Sequence, residues 1–324
     1  MAHPQGRWVK LAQKGTGPGA RSSHAITVVG NNAYVFGGEH VPRVPVDDKL
    51  LVLDLGDLTW SAADAGGDVP PPRVGVTMAA VGDVVYVFGG RDADHKELNE
   101  LYAFDTRTGT WTLLSSGVAG PPHRSYHSMT SDGRRRAYVF GGCGVSGRLN
   151  DLWAYDAVDG EWTRYPDAGD ACRGRGGPGL AVVDGKIWVV YGFAGEETDD
   201  VHCFDPSTGK WTEVETTGEK PSPRSVFSTA AIGKYVFVYG GEIDPSDQGH
   251  LGAGKFSGEV YALDTETGEW KKWGEAESGD HPGPRGWCAF SPARMEGEEG
   301  LLVYGGNSAS NDRLDDIYFF APGF

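Results

Sequence analysis

The sequence predicts an all-β fold: a six-bladed β-propeller spanning residues 1–324 as one domain, closed by its N-terminal strand. Three recurring markers predict it. An aromatic residue followed by glycine falls at Phe36, Phe88, Phe140, Tyr191, Tyr239 and Tyr304. Tryptophan falls at Trp8, Trp60, Trp111, Trp162, Trp211 and Trp270, and arginine at Arg21, Arg73, Arg124, Arg175, Arg224 and Arg285. The first four steps of every series lie between 48 and 52 residues. Self-similarity at a fixed period marks a repeat architecture, and 324 residues hold six units of this size.

Each unit reads as four short strands. A β-rich run such as Asn32–Phe36 ends in a glycine pair, Gly37-Gly38. A loop follows, then an apolar strand ending in Asp54, Asp105, Asp156, Asp205 or Asp264, with the tryptophan six residues later in every case. Gly109, Gly160, Gly209 and Gly268 stand two before the tryptophan, where a tight hairpin needs positive φ. The fourth unit departs, with Tyr191-Gly192-Phe193 in place of the glycine pair. Ile317–Phe320 reads as a third strand with no fourth after it, and the segment around Trp8 as a fourth with no third before it. The N-terminal segment is therefore expected to complete the last blade, leaving no open edge. With its period near 50, the repeat resembles the kelch repeat, and the resemblance covers the whole chain.

Composition agrees with this reading and narrows the function. Fifty Gly and 19 Pro without a triplet period point to many turns. A formal net charge of −16 disfavours nucleic acid and anionic membranes as partners. The opening MAHPQGRWVK has no apolar signal region, and no apolar run is long enough to span a membrane. Four scattered cysteines form neither a metal clip nor a disulfide framework. A cytoplasmic location is the expectation.

Alternating strand direction puts the loops after the glycine pairs on one face with the arginine segments that open each unit. Functional residues commonly occupy such loops. Arginines and tryptophans common to all units are assigned to packing, so function is expected where units differ. Tyr239 to Trp270 spans 31 residues, against 20 to 24 in the first four units, and Trp270 to Tyr304 spans 34, against 28 or 29. Much of the first excess lies in the loop from Glu242 to Phe256, which carries Glu242, Asp244, Asp247 and His250 within nine residues. Carboxylates with one imidazole suit a divalent metal such as Fe(II) or Mn(II).

A whole-chain kelch architecture with Gly-Gly-Glu opening an extended fifth-blade loop resembles the plant specifier proteins. These are the nitrile-, epithio- and thiocyanate-forming proteins of glucosinolate breakdown. In that family Glu, Asp and His at four-residue steps bind Fe(II). Glu242 and His250 match the first and last positions; Ser246 occupies the middle one. The resemblance makes Asp247 the candidate third ligand, with Asp244 second. The family's sulfate-holding loop arginines fall on Arg43, Arg91 and Arg148, whose forks suit a sulfate. Its aromatic channel positions fall on Tyr126 and Trp287, each two residues after a repeated arginine.

The implied substrate is a glucosinolate aglucone, a thiohydroximate-O-sulfate released by a separate thioglucosidase (myrosinase). The implied activity is a lyase-like, Fe(II)-dependent diversion from isothiocyanate to nitrile-type products. Arg43, Arg91 and Arg148 would stabilise the departing sulfate, iron would engage the sulfur, and positioning would set the product. Neither a Ser-His-Asp arrangement nor a phosphate loop is evident. The rival reading is a propeller scaffold that binds a protein or small molecule, since fold does not fix function. A specifier relative without the activity is the third. Metal analysis separates chemistry from scaffold.

Overall fold

The computed structural model describes residues 2–275 and 279–324, apart from the side chain of His250. The regular elements are strands plus one 3-10 turn, Gly249–Leu251, and there is no α-helix among the described residues.

Strands pair antiparallel in successive four-stranded units. Ser22–Val29, Asn32–Glu39, Leu51–Asp54 and Trp60–Ala62 form the first. Thr77–Val81, Val84–Arg91, Glu97–Asp105 and Thr110–Ser115 form the next. Ser128–Ser131, Arg136–Gly144, Arg148–Asp156 and Glu161–Arg164 follow. Then come Gly179–Val183, Lys186–Phe193, Glu197–Asp205 and Lys210–Glu213. Ser228–Ile232, Tyr235–Tyr239, Val260–Asp264 and Glu269–Glu275 continue the series. Ala289–Met295, Glu298–Ser308 and Arg313–Ala321 take their outer neighbour from the N-terminus. There Gln5–Lys10 sets Trp8 opposite Phe320, the pairing expected from the sequence.

The third strands end on the predicted aspartates for a local reason. Each carboxylate accepts the backbone N–H two residues on, from Gly56 at 2.7 Å, Arg107 at 2.9 Å, Val158 at 2.9 Å, Ser207 at 2.9 Å and Glu266 at 3.0 Å. The tryptophans fill the spaces between sheets. Trp111 packs with Phe36, Val85 and Phe104, and Trp8 with Tyr239, Val260 and Phe320.

The glycine pair corrects one expectation. The second strand does not stop there but runs through it in most units, with a register shift between Phe88 and Gly90, Phe140 and Gly142, and Tyr304 and Gly306. The pair is a β-bulge, whose extra residue bends the strand. Gly89 has φ 64° and Gly90 φ 105°, and a Cβ on Gly90 would stand 3.0 Å from the Val74 carbonyl. The fifth unit does break at the pair, and Glu242–Asp244 leaves to pair with Lys255–Phe256 as a separate hairpin.

The six repeated arginines are buried, as their uniformity implied. Each Nη1 donates to the carbonyl of the first residue of the pair position: Gly37 at 2.9 Å, Gly89 at 3.2 Å, Gly141 at 3.0 Å, Tyr191 at 3.2 Å, Gly240 at 3.2 Å and Gly305 at 3.2 Å. Arg124 adds a bidentate pair with Asp151 at 2.7 and 2.8 Å. These side chains fasten the opening of each unit to the end of its second strand.

Candidate functional site

Two residues after each repeated arginine the backbone turns into the left-handed region, at Ser23, Gly75, Tyr126, Gly177, Val226 and Trp287, with φ between 50° and 62°. These residues hydrogen-bond in a circle. Gly75 donates to Ser23 at 2.9 Å, Tyr126 to Gly75 at 3.0 Å, and Gly177 to Tyr126 at 2.8 Å. Val226 donates to Gly177 at 3.0 Å, Trp287 to Val226 at 3.1 Å, and Ser23 to Trp287 at 2.9 Å. The result is a backbone collar. Its two glycines present no side chain, and Tyr126 and Trp287 meet edge to face, centroids 5.4 Å apart.

A cavity of about 160 Å³ shares this collar: Tyr126, Gly177, Val226 and Trp287 line it, together with Arg148, Phe193, Glu242, Ser246, Asn307 and Arg313. The loop ends around it are cross-strand pairs: Arg91 opposite Glu97, Cys143 opposite Arg148, Phe193 opposite Glu197, Glu242 opposite Phe256, and Asn307 opposite Arg313. Of these Cys143, Arg148, Phe193, Glu242, Asn307 and Arg313 line the cavity, as does Glu39. The extended fifth loop supplies Pro245, Ser246, Gly249 and Gly252. Asn311 of the last loop ties it down by donating to the Leu251 carbonyl at 3.2 Å.

The charges on this wall are unevenly matched. Arg91 is held by Glu97 at 2.6 Å and lies over the Tyr126 ring at 5.7 Å. Arg148 rests over the Phe193 ring at 4.7 Å and has no carboxylate in ion-pair range among the described residues. Glu242 is 8% exposed. Burial pushes its carboxyl up to about 7, with Asp244 adding to the rise, while the Gly254 N–H and the Trp287 side chain pull the other way. Glu197 goes further, to about 8, mainly by burial and then by the charges of Glu242 and Asp244, against a pull from Ser225. Neither Glu197 oxygen is within hydrogen-bonding geometry of a donor among the described residues. Burial and the nearby Glu39 also raise the Tyr126 phenol.

Several residues singled out from the sequence meet here: Arg148, Tyr126, Trp287 and Glu242 all line the cavity. Arg91 stands behind Tyr126, engaged with Glu97. Arg43 is exposed on its loop, outside the lining, and its backbone N–H donates to Glu39 at 2.6 Å. Asp247 is exposed, and Asp244 pairs with Lys255 at 3.7 Å. The side chain of His250 lies outside what the structure describes. Among the described residues no three His, Cys, Asp or Glu side chains converge on one point. The chemistry of Glu242 nonetheless fits a divalent cation, since a buried carboxylate on the cavity wall with no positive partner among the described residues is a hard donor that such an ion would satisfy.

Sequence reasoning missed Arg313 and Glu197 and gave no role to Asn307 or Phe193. The last two left a signal. In register Tyr191-Gly192 takes the place of the fourth unit's glycine pair, so Phe193 follows it as Asn307 follows Gly305-Gly306, both on the loops placed on the functional face.

The bulged four-strand repeat defines a kelch-type propeller, and residues 23–241 match the family model described as the KLHDC2/KLHL20/DRC7 Kelch-repeats domain. The chain is 45% identical to N-(sulfonatooxy)prop-2-enimidothioate sulfolyase of Thlaspi arvense, over 98% of its own length and 97% of that protein's. Acyl-CoA-binding domain-containing protein 4 of Arabidopsis thaliana is 29% identical over 72% of this chain and 37% of that one. Among solved structures, YjhT matches 93% of this chain and 95% of its own with a TM-score of 0.71 at 18% identity, a likeness of fold alone. The chain belongs to the kelch-repeat specifier family.

Proposed function

We propose that this protein is a working specifier on a six-bladed ring, diverting thioglucosidase-released glucosinolate aglucones from isothiocyanate to nitrile-type products with Fe(II). The observation that carries this reading is full-length similarity to a sulfolyase whose name describes a sulfonatooxy imidothioate. Such a compound presents a sulfate on nitrogen and a thiolate on the adjacent carbon. When the N–O bond breaks, its electron pair leaves on sulfate. The carbon–sulfur bond then opens to leave a nitrile, and the sulfur is either released or taken up by an alkene in the side chain.

The chain's own groups suit each part. Arg148 would hold the sulfate and stabilise its growing charge, because donors aimed at developing charge in a sheltered site act strongly. Arg43 and Arg91 would contribute from the rim. Tyr126, Trp287 and Phe193 would enclose the organic group, and the fifth loop would limit water. Glu242, Asp247 and His250 would hold Fe(II), which when bound supplies a Lewis acid or one-electron donor for sulfur. Trp287 would keep the Glu242 carboxylate aimed at the cavity. The reaction would be lyase-like, coupled to myrosinase in the cytoplasm. Incubating the protein with a thioglucosidase and a glucosinolate, with and without Fe(II), and reading products by gas chromatography tests it. An iron-dependent nitrile yield is expected; isothiocyanate alone in both tubes would defeat the proposal.

A further inference from the structure

We propose that Arg313 is a second anion-anchoring residue of the cavity, taking oxyanion oxygens of the ligand together with Arg148. The identity of the ligand's anion as a sulfate rests on the specifier reading above; the charge argument does not. Arg313 lines the cavity, yet its side chain is only 4% exposed. A guanidinium stays charged in such a place. Its fork is aimed by neutral acceptors: Nε donates to Ser22 Oγ at 3.0 Å and Nη1 to Asn311 Oδ1 at 3.0 Å. Asn307 fixes that amide in turn by donating to the same Asn311 oxygen at 3.0 Å. None of these contacts balances the charge.

Among the described residues the one carboxylate in range is Glu39, and it stands off. Arg313 Nη2 lies 3.5 Å from Glu39 Oε1, while Oε2 accepts the Arg43 N–H at 2.6 Å. Arg124, whose role is packing, shows the contrast, with Asp151 at 2.7 and 2.8 Å. Arg313 is therefore a buried, pre-aimed charge with a slack counterion on the wall of a cavity. An oxyanion that draws closer than Glu39 completes its hydrogen bonding. Glu39 competes for the same fork, so it sets how tightly an anion is held.

Calorimetric titration with inorganic sulfate at constant ionic strength, chloride replacing sulfate in the control, tests this. Arg313→Gln should weaken sulfate binding about tenfold, the size of one charge-assisted hydrogen bond. Arg313→Lys should recover part of the loss, and Glu39→Gln should tighten binding several-fold. Glu39 itself lines the cavity, so the tightening is read in both backgrounds. Glu39→Gln should tighten binding less when combined with Arg313→Lys than in wild type, and equal tightening in both would show that Glu39 acts without Arg313. This comparison stands even if Arg313→Gln fails to fold. Wild-type protein that ignores sulfate, an Arg313→Gln protein that binds it unchanged, or a Glu39→Gln protein that binds it more weakly would each overturn the proposal. A product assay alongside separates the two readings. Sulfate affinity that depends on Arg313 without any diversion of aglucone would end the specifier reading alone. Normal diversion with sulfate affinity indifferent to Arg313 would end this one alone.

Discussion

The Trp287 side chain favours the charged form of the Glu242 carboxyl, against the burial that raises it. One residue stands on the collar and the other opens the extended fifth loop, so this contact joins the rigid ring to the variable segment. Trp287→Phe keeps an aromatic ring against Tyr126 and removes the polar indole N–H. Product yield should fall about tenfold, the size of one polar interaction with a charged group. Melting temperature should hardly change. Chromatographic product ratios beside a thermal melt check it, and full yield from Trp287→Phe would count against a role for the indole N–H.

Arg124 and Asp151 form a buried bidentate pair, and Trp153 Nε1 adds a further bond to the same carboxylate at 2.8 Å. Arg124→Ala leaves that carboxylate without its cation. The expected loss is about 3–5 kcal/mol of stability, read as a fall in the urea midpoint. Replacing both partners with apolar residues should cost less than either single change. A double variant as unstable as the sum of the singles would contradict this.

Asp200 holds two cations: Arg175 at 2.6 and 2.8 Å, and His202 Nε2 at 2.6 Å. Burial alone would lower the His202 pKa, but the bond to Asp200, with Cys172 beside it, outweighs that and pushes it from 6.5 to about 9. The folded pKa lies above the unfolded one, so the native protein keeps a proton that the unfolded chain releases. This stabilisation is complete below about 6.5 and is lost as pH rises through about 9. His202→Gln should flatten the fall in denaturation midpoint across that window. An unchanged slope would show that the imidazole is not charged there.

Gly177 sits on the collar at φ 59°, where an added Cβ would stand 2.6 Å from Val226 Cγ1 and 3.0 Å from the Val226 nitrogen. Tyr126 and Trp287 tolerate the same backbone conformation, so the obstacle is the neighbour. Gly177→Ala should cost about 1–3 kcal/mol by overpacking. Val226→Ala in the same chain should restore part of it, as thermal denaturation of the three variants would reveal.

The ring was legible in the sequence because a repeat states its own geometry. Trp8 needed a partner strand, and Ile317–Phe320 lacked one. Tyr126 and Trp287 entered through the resemblance, and both stand on the collar two residues after a repeated arginine. The glycine pair was read as a strand end, since a bulge and a strand end both demand glycine and only the cross-strand register separates them. Arg313 and Glu197 left no trace. Their environment is set by partners across loops of different length, Glu39 for one and Glu242 for the other. Arg91 is likewise held by Glu97, six residues away on the facing strand, a pairing that the strand register sets and the sequence alone does not show.

If the cavity above the collar redirects a sulfated aglucone through Glu242, as proposed, the product depends on that carboxylate. The decisive comparison is wild type against Glu242→Gln in a coupled thioglucosidase reaction with Fe(II), with products resolved by gas chromatography. Nitrile-type product is expected from wild type and isothiocyanate alone from a folded Glu242→Gln protein. Equal nitrile yield from both, or none from either, would contradict it.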